Sequence, residues 1–178
     1  MTKTCIAYVT HEGQTAKIAE YIADVIRAHG QEADTVDLKK SGDGVPEGYD
    51  GVIVGSSIHV GKHDKHATEY VRQHREKLEQ IPSAMFSVSL AAHGDVEEAE
   101  GYVKKFEEQT GWHPAKVALF SGALPYTEYS FVKRHMMKQI AGHMPGHLGT
   151  DIHRNYVYTE WDGVKRFAED FLEDVGGR

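Results

Sequence analysis

The chain contains 178 residues, with a hydrophobic fraction of 40% and a charged fraction of 26%. These values are typical of one globular domain that is long enough for a sheet covered on both faces. The formal net charge of −7 argues against binding to nucleic acid, because neutralising phosphates requires an excess of lysine and arginine. The N-terminus lacks the apolar segment of a signal peptide, and no apolar run approaches the roughly 18 residues of a membrane helix. We therefore expect a single cytoplasmic domain, residues 1–178.

The apolar residues alternate between short continuous runs, which predict buried strands, and runs with a helical period. In chain order the first elements are a strand at Thr4–Val9, a helix at Gln14–His29, a strand at Ala33–Leu38, and a strand at Tyr49–Gly55. There follow a helix at Lys65–Leu78, a strand at Ser83–Leu90, a helix from Asp95 to Gly111, a strand at Lys116–Ser121, and a helix from about Thr159. Apolar strands alternating with helices predict a doubly wound α/β domain with a five-stranded parallel sheet.

A segment of nearly forty residues, Gly122–Tyr158, separates the fifth predicted strand from the last helix and is much longer than an ordinary connection. It contains one helical stripe of apolar residues and then the breaker AGHMPGHLG. The stripe consists of Phe131, Val132, Met136 and Ile140, with Lys133, Arg134 and Lys138 lying off it. We interpret this segment, called the insertion below, as either a binding element or a helix that caps the edge of the sheet.

Three segments with small and hydroxyl-bearing residues follow predicted strands: THEGQT at Thr10–Thr15, GSSIHVGKHD at Gly55–Asp64, and SLAAHGD at Ser89–Asp95. Ligands of such a sheet bind beyond the carboxyl ends of the strands. The first segment precedes a helix whose free amides attract anions, and it lacks the GK(S/T) ending of a P-loop. The three segments therefore predict a planar ring with a phosphate tail, and they disfavour a nucleoside triphosphatase.

Two groups of histidines have spacings that could suit a metal ion. One group is His59, His63 and His66, and the other is the pair His143 and His147. Neither group has a cysteine nearby or carboxylates at ligand spacing beyond a single aspartate. We expect no metal site and interpret these histidines as solvated side chains.

Two further patterns are interpreted as structural. The run GDGVPEG at 42–48 imitates a dinucleotide-binding fingerprint, but its third glycine is displaced and no helix follows it. The only cysteine, Cys5, lies within the first predicted strand and is expected to be a small buried residue.

The segment Thr10–Thr15 resembles the phosphate loop T-x-(E/D/N)-G-(N/Q)-T of the flavodoxin superfamily at every position. The resemblance narrows to the flavodoxin-like protoporphyrinogen oxidases of the menaquinone-dependent kind. It extends over nearly the whole chain through YDGVIVGSSIHVGKH, IPSAMFSVSL, SGALPY, the insertion and YTEWDGVKRFA. SGALPY and YTEW are not general flavodoxin features, so the narrower match is fairly specific. The resemblance implies the strand order 2-1-3-4-5.

The resemblance also implies a noncovalently bound FMN, which carries the redox chemistry itself, so that no catalytic side chain is assigned. The residues implied around its phosphate are Thr10, His11, Glu12, Gly13, Gln14 and Thr15. Those implied to flank the isoalloxazine ring are Gly55, Ser56, Ser57, Ile58, His59, Val60 and Gly61 on one side and Ser89, Leu90, Ala91 and Ala92 on the other. Glu12 is compatible with a phosphate dianion if its side chain points to solvent, because only its backbone amide then matters.

The resemblance implies an oxidoreductase that takes hydride equivalents from a porphyrinogen and passes electrons to a quinone or another acceptor. The candidates for contact with substrate or partner are Tyr126, Tyr129, Phe131, Lys133, Arg134 and Lys138. Arginine and lysine suit the propionates of a tetrapyrrole. A flavodoxin-like electron carrier and a quinone reductase fed by a nicotinamide nucleotide remain alternatives, as does peripheral contact with the inner face of the cell membrane.

Overall fold

The structure of the protein is a computed structural model that describes residues 1–41 and 47–177. Its main sheet contains the parallel strands β1 (Lys3–Val9), β2 (Glu32–Asp37), β3 (Gly51–His59), β5 (Ser83–Ser89) and β6 (Lys116–Ser121). Their order is β2-β1-β3-β5-β6. Counted over the parallel strands alone, this is the predicted order 2-1-3-4-5, so the fold prediction is confirmed.

Helices cover both faces of this sheet. They are α1 (Gln14–Ala28), α2 (Lys65–Gln80), α3 (Val96–Thr110) and α5 (Trp161–Gly176), whereas α4 (Phe131–His143) belongs to the insertion. Helices α1 and α5 pack on one face, where the core includes Ile6 and Phe86, whereas α2 and α3 pack on the other with Ala7 and Met85. Residues adjacent in the chain thus point to opposite cores, which is why the strands are apolar without alternation.

The third strand extends further than the sequence predicts. It continues from Gly55 to His59, turns at Val60 and Gly61, and pairs antiparallel with the two-residue strand β4 (Lys62–His63). Both turn residues have positive φ, at 51° and 73°, as a two-residue type I′ hairpin requires. The prediction that all of Gly55–Asp64 is loop is therefore wrong, because a turn formed by Val-Gly escapes the usual turn signals.

The insertion forms a small structural unit of its own. Strands β7 (Ala123–Pro125) and β8 (Asn155–Val157) pair antiparallel, and α4 lies between them in the chain. Its core consists of Leu124, Tyr126, Tyr129, Ala141 and Leu148. The tyrosines of this core also provide hydrogen bonds, since Tyr126 donates to the carbonyl of Gly149 over 2.7 Å. The two short strands were not predicted from the sequence.

Other boundaries differ by one or two residues, as with α5, which begins at Trp161 rather than near Thr159.

Within residues 1–41 and 47–177, no helix combines the length and apolar character needed to span a bilayer. Cys5 is fully buried, and burial raises the pKa of its thiol to about 12. The run GDGVPEG falls largely on residues 42–46, which lie outside the described residues.

Candidate functional site

A cavity of about 560 Å³ opens at the carboxyl ends of the parallel strands. Its walls come from the three strand-end segments singled out in the sequence and from the insertion, together with Lys17 of α1 and Tyr102 of α3. This is the place where ligands bind to sheets of this type, and the volume suits a ligand of ordinary cofactor size.

The loop Thr10–Thr15, called the phosphate loop below, is built as a tight turn into α1. The Thr10 hydroxyl accepts a hydrogen bond from the Gly13 amide over 2.9 Å, and Gly13 adopts a left-handed conformation with φ of 95°. No side chain caps the N-terminus of α1, in contrast to α2, α3 and α4. The first-turn amides therefore remain available to an anion.

The side chains of Gln14 and Thr15 have different environments. The Gln14 amide donates to the Thr159 hydroxyl over 2.9 Å, and that hydroxyl in turn donates to the Ser121 carbonyl over 2.7 Å. Gln14 thus connects α1 to the segment preceding α5, which leaves its backbone amide for a ligand. Thr15 is almost fully buried and lines the cavity, and its hydroxyl has no hydrogen-bond partner among the described residues.

His11 connects the phosphate loop to the β3–β4 hairpin. Its ring stacks on that of His59, with centroids 4.4 Å apart, and its Nε2 lies 3.2 Å from Asp64 Oδ2. Desolvation and the nearby charges of Lys39 and His59 lower the pKa of His11, although Asp64 opposes this shift. The lowered pKa favours the neutral ring, whose stacking on His59 and contact with Asp64 brace the loop.

Ser57 contributes a buried hydroxyl to the cavity wall. Its Oγ has no hydrogen-bond partner among the described residues, whereas the neighbouring Ser56 hydroxyl donates to the Ser57 carbonyl over 3.3 Å. A buried polar atom without a partner costs free energy, and such atoms are rare in folded proteins. Beside it, Ile58, His59, Val60 and Gly61 line the cavity mouth.

The third strand-end segment forms a single 3₁₀ turn at Ala91–His93. The Ser89 hydroxyl accepts from the Ala92 amide over 3.2 Å, and Ser89, Leu90 and Ala91 line the cavity. Ala92 is half-buried and is not among the lining residues. The structure thus brings together at one cavity most of the residues implied around FMN, from three separate strand ends.

The side chain of Glu12 does not simply point to solvent. Its two oxygens accept from the Tyr129 hydroxyl over 2.9 Å and from the Lys133 ammonium over 3.0 Å. The carboxylate is therefore neutralised by a cation of the insertion. This pairing removes the conflict with a phosphate dianion by a route that the sequence did not predict, since the partners lie 117 and 121 residues away.

The six insertion residues proposed for substrate contact divide into three groups. Tyr129 and Lys133 line the cavity. Tyr126 is fully buried, and the Arg134 guanidinium donates to the Tyr126 carbonyl over 2.9 Å, so both stabilise the insertion from within. Phe131 is 75% exposed and lies outside the cavity, as does the exposed Lys138.

The insertion also lines the cavity with four apolar residues that the sequence analysis did not assign to the site. Met136, Met137, Ile140 and Met144 line the cavity with Lys133, and we call these five residues the cavity face of α4. Spacings of three, four and seven residues place Met136, Met137 and Ile140 on the same side of α4 as Lys133, and Met144 follows directly after the helix ends at His143. The helical spacing and the methionine content indicate an apolar side of this helix, but the sequence does not show which side of the helix lines the cavity.

These features fit the FMN that the sequence resemblance implies. The uncapped amides of α1 and the Thr15 hydroxyl suit the phosphate, the unpartnered Ser57 hydroxyl suits a polar ring atom, and the cavity volume is adequate. Lys17 also lines this region and adds positive charge. Within the described residues there is no group of three or more metal-ligating side chains.

Comparisons with known proteins agree with this geometry. The chain is 34% identical over 171 residues to protoporphyrinogen IX dehydrogenase (quinone) of Escherichia coli strain K12, covering 94% of this chain and 93% of that protein. The protein of the same name from Leishmania major is 35% identical over 173 residues, which are 95% of this chain and 74% of that one.

Solved structures support the fold alone. A short-chain flavodoxin associated with a non-canonical PDU bacterial microcompartment is 12% identical, with a TM-score of 0.59 and coverage of 98% of this chain and 99% of that one. A flavodoxin from the domain Archaea is 16% identical, with a TM-score of 0.52 and the same coverage.

The family model described as the flavodoxin domain matches residues 5–147. The chain therefore belongs to the flavodoxin domain family.

Proposed function

We propose that this protein is an FMN-dependent oxidoreductase that oxidises a porphyrinogen and delivers the electrons to a quinone, as the names of its relatives in Escherichia coli and Leishmania major indicate for those proteins. When bound, FMN supplies the capacity to accept hydride equivalents and pass on electrons. The observation that carries the proposal is that the phosphate loop and the cavity face of α4 line one cavity.

The phosphate end of the cofactor is held by backbone amides and one hydroxyl. The amides of the first turn of α1 lack capping partners, and the Thr15 hydroxyl extends the same donor set. Charge-assisted hydrogen bonds of this kind are stronger than those between neutral groups. Thr10 acts indirectly, because its hydroxyl shapes the turn by accepting from Gly13.

The ring end is enclosed by two walls of different chemistry. On one side the β3–β4 hairpin presents Ser57, Ile58 and His59, and on the other Ser89, Leu90 and Ala91 follow β5. Apolar side chains exclude water from the ring, and Ser57 offers it a hydroxyl. The hairpin is held by its pairing with β4, and the second segment by the hydrogen bond from the Ala92 amide to the Ser89 hydroxyl.

The substrate is placed against the cavity face of α4. Methionine and isoleucine side chains give a broad apolar surface, and methionine adapts its shape to a large puckered macrocycle at low cost. Arg134 is unsuited to binding a propionate because its guanidinium is already bonded to the carbonyls of Tyr126 and Tyr129. Lys138 has no ion-pair partner among the described residues, but it lies outside the cavity, so Lys133 is the one of these three cations that lines it.

The test is turnover by the FMN-loaded protein. We expect protoporphyrinogen IX to be converted to the fluorescent porphyrin when a menaquinone analogue is present, and no comparable rate with reduced nicotinamide and quinone alone. The FMN-free protein is the control. Rapid reduction by nicotinamide without porphyrinogen turnover would instead support the quinone-reductase alternative, and absence of both would favour an electron carrier.

A further inference from the structure

Glu12 makes a direct link between the phosphate loop and the insertion. The hydroxyl of Tyr129 donates to its Oε2 over 2.9 Å, and the ammonium of Lys133 donates to its Oε1 over 3.0 Å. The same ammonium lies 4.7 Å from the centroid of the Tyr129 ring. Three side chains from two distant parts of the chain thus form one cluster, and Tyr129 is mostly buried within it.

This cluster lies at the beginning of α4. Ser130 caps the helix by accepting from the Lys133 amide, so Tyr129 and Lys133 lie on either side of the cap. Lys133 is also the first residue of the cavity face, followed along the same side of the helix by Met136, Met137 and Ile140. Fixing the Lys133 side chain on Glu12 therefore fixes which side of α4 is turned toward the cavity.

The cluster also has an electrostatic consequence for anion binding. Glu12 belongs to the loop whose amides meet the phosphate, and an unpaired carboxylate there opposes a dianion. The Lys133 ion pair cancels that charge. Removal of either partner alone should thus change anion affinity, and with opposite sign.

We propose that Glu12 is a positioning residue that docks the cavity face of α4 onto the phosphate loop, and that Lys133 makes this docking compatible with the cofactor phosphate. This proposal rests on the proposed function only for the identity of the anion. It makes binding of the cofactor and placement of the substrate wall depend on the same three side chains.

The first test is amide hydrogen exchange in the FMN-loaded protein. In both Glu12→Ala and Lys133→Met we expect exchange in residues 131–143 to be at least about tenfold faster, with β1 and β3 unchanged, because local opening of α4 becomes easier. Glu108→Gln is the matched control, since it removes an exposed carboxylate from α3. Exchange in α4 that is equal to that of the unmodified protein in both variants would overturn the docking role.

The second test separates charge from docking. We expect the Kd for FMN to fall in Glu12→Gln and to rise in Lys133→Met, each by on the order of three- to tenfold, and to return to within about twofold in the double variant. Flavin fluorescence titration at low salt measures this without any substrate. If both single variants shift the Kd in the same direction, the compensating pair is refuted.

The third readout is kinetic. In Glu12→Ala and Lys133→Met, KM for the porphyrinogen should rise several-fold while kcat changes less, because the wall is displaced but the reacting centre is not. A fall in kcat alone would contradict a positioning role. Failure of porphyrinogen turnover in every sample would count against the proposed function, yet the exchange and FMN results would still decide the role of Glu12.

Discussion

Ser57 bears a buried hydroxyl that has no partner among the described residues, and it lies in the cavity wall. A buried hydroxyl that bonds to a ligand has no partner while the ligand is absent, and this costs free energy in the ligand-free protein. The Thr15 hydroxyl also has no hydrogen-bond partner among the described residues, and its residue lines the cavity at the phosphate end. Individual residues of this site are thus arranged for binding rather than for stability.

We predict that Ser57→Ala stabilises the FMN-free protein by about 1 kcal/mol and weakens FMN binding by about 1 kcal/mol, because it removes both the unsatisfied oxygen and a hydrogen bond to the ligand. Urea unfolding and flavin titration measure the two effects. Ser56→Ala is the control, since its hydroxyl already has a partner, and it should lower stability. A destabilised Ser57→Ala protein would contradict the assignment.

His63 is buried, so its interpretation as a solvated histidine is wrong, and it gives a pH-dependent contribution to stability. Burial lowers its pKa from 6.5 to about 4, although a backbone hydrogen bond at Tyr102 opposes the shift, and its Nε2 lies 2.8 Å from the Ser87 hydroxyl. Above pH 6.5 the histidine is neutral in both states. Between pH 6.5 and about 4 only the unfolded chain binds the proton, so stability decreases as pH falls.

From this shift we predict that His63 accounts for a loss of roughly 3 kcal/mol in unfolding free energy between pH 7 and pH 4. Urea unfolding of the unmodified protein and of His63→Gln across this range isolates the contribution, because the remaining groups titrate in both. The difference in stability between the two proteins should shrink toward acid pH. A difference that is independent of pH would rule out this assignment.

The loop after β5 contacts the segment that directly follows α4. A Cβ atom at Gly94 would lie 2.4 Å from the Gly146 Cα and 2.5 Å from the Pro145 carbonyl oxygen. Only a glycine permits this approach. The contact holds the end of α4 at the cavity, while the Glu12 cluster holds its beginning.

We predict that Gly94→Ala destabilises the protein by about 1 to 3 kcal/mol and raises KM for the substrate, because the insertion must move away from the loop. Gly101→Ala is the matched control, since a Cβ there meets nothing within 4 Å and its site is the middle of α3. That change should stabilise the protein by up to about 1 kcal/mol. Equal stability of the two variants would disprove the close contact.

Elements with strong local patterns were predicted well. The fifth parallel strand was placed at Lys116–Ser121, as observed, and α1 and α3 were within a residue or so, because their caps and apolar stripes are local. The β3 extension and the strands β7 and β8 were missed. The β3 extension depends on a Val-Gly hairpin turn that lacks the usual turn residues, whereas β7 and β8 pair across some thirty residues of chain.

For the molecule as a whole, the charge is uneven. The overall formal charge is −7, yet α4 contains Lys133, Arg134 and Lys138 and no acidic residue. Phe131 and Val132 on the same helix are about three-quarters exposed, at 75% and 76%. Because Lys133 is paired with Glu12 and Arg134 donates to backbone carbonyls, the exposed surface of α4 includes Lys138 beside these two apolar side chains.

Binding of FMN should stabilise the whole molecule. At a free concentration of 100 times Kd we predict a gain of about 2.7 kcal/mol, because only the folded state binds. Riboflavin lacks the phosphate that the phosphate loop and α1 amides would hold, so at the same concentration it should give a much smaller gain. Thermal unfolding with each compound measures this, and equal shifts would show that the phosphate loop does not bind the phosphate.

The sequence by itself determined the α/β class and the three segments at the strand ends, because periodicity, glycine placement and capping act over a few neighbouring residues, whereas the strand order was implied by the family resemblance. The resemblance of Thr10–Thr15 to a known phosphate loop also indicated the family. Only the tertiary structure decided which residues of the insertion line the cavity. Glu12 has its partners more than a hundred residues away, and the side of α4 that meets the cavity is set by packing, so Met136 and Ile140 line the site while Arg134 does not.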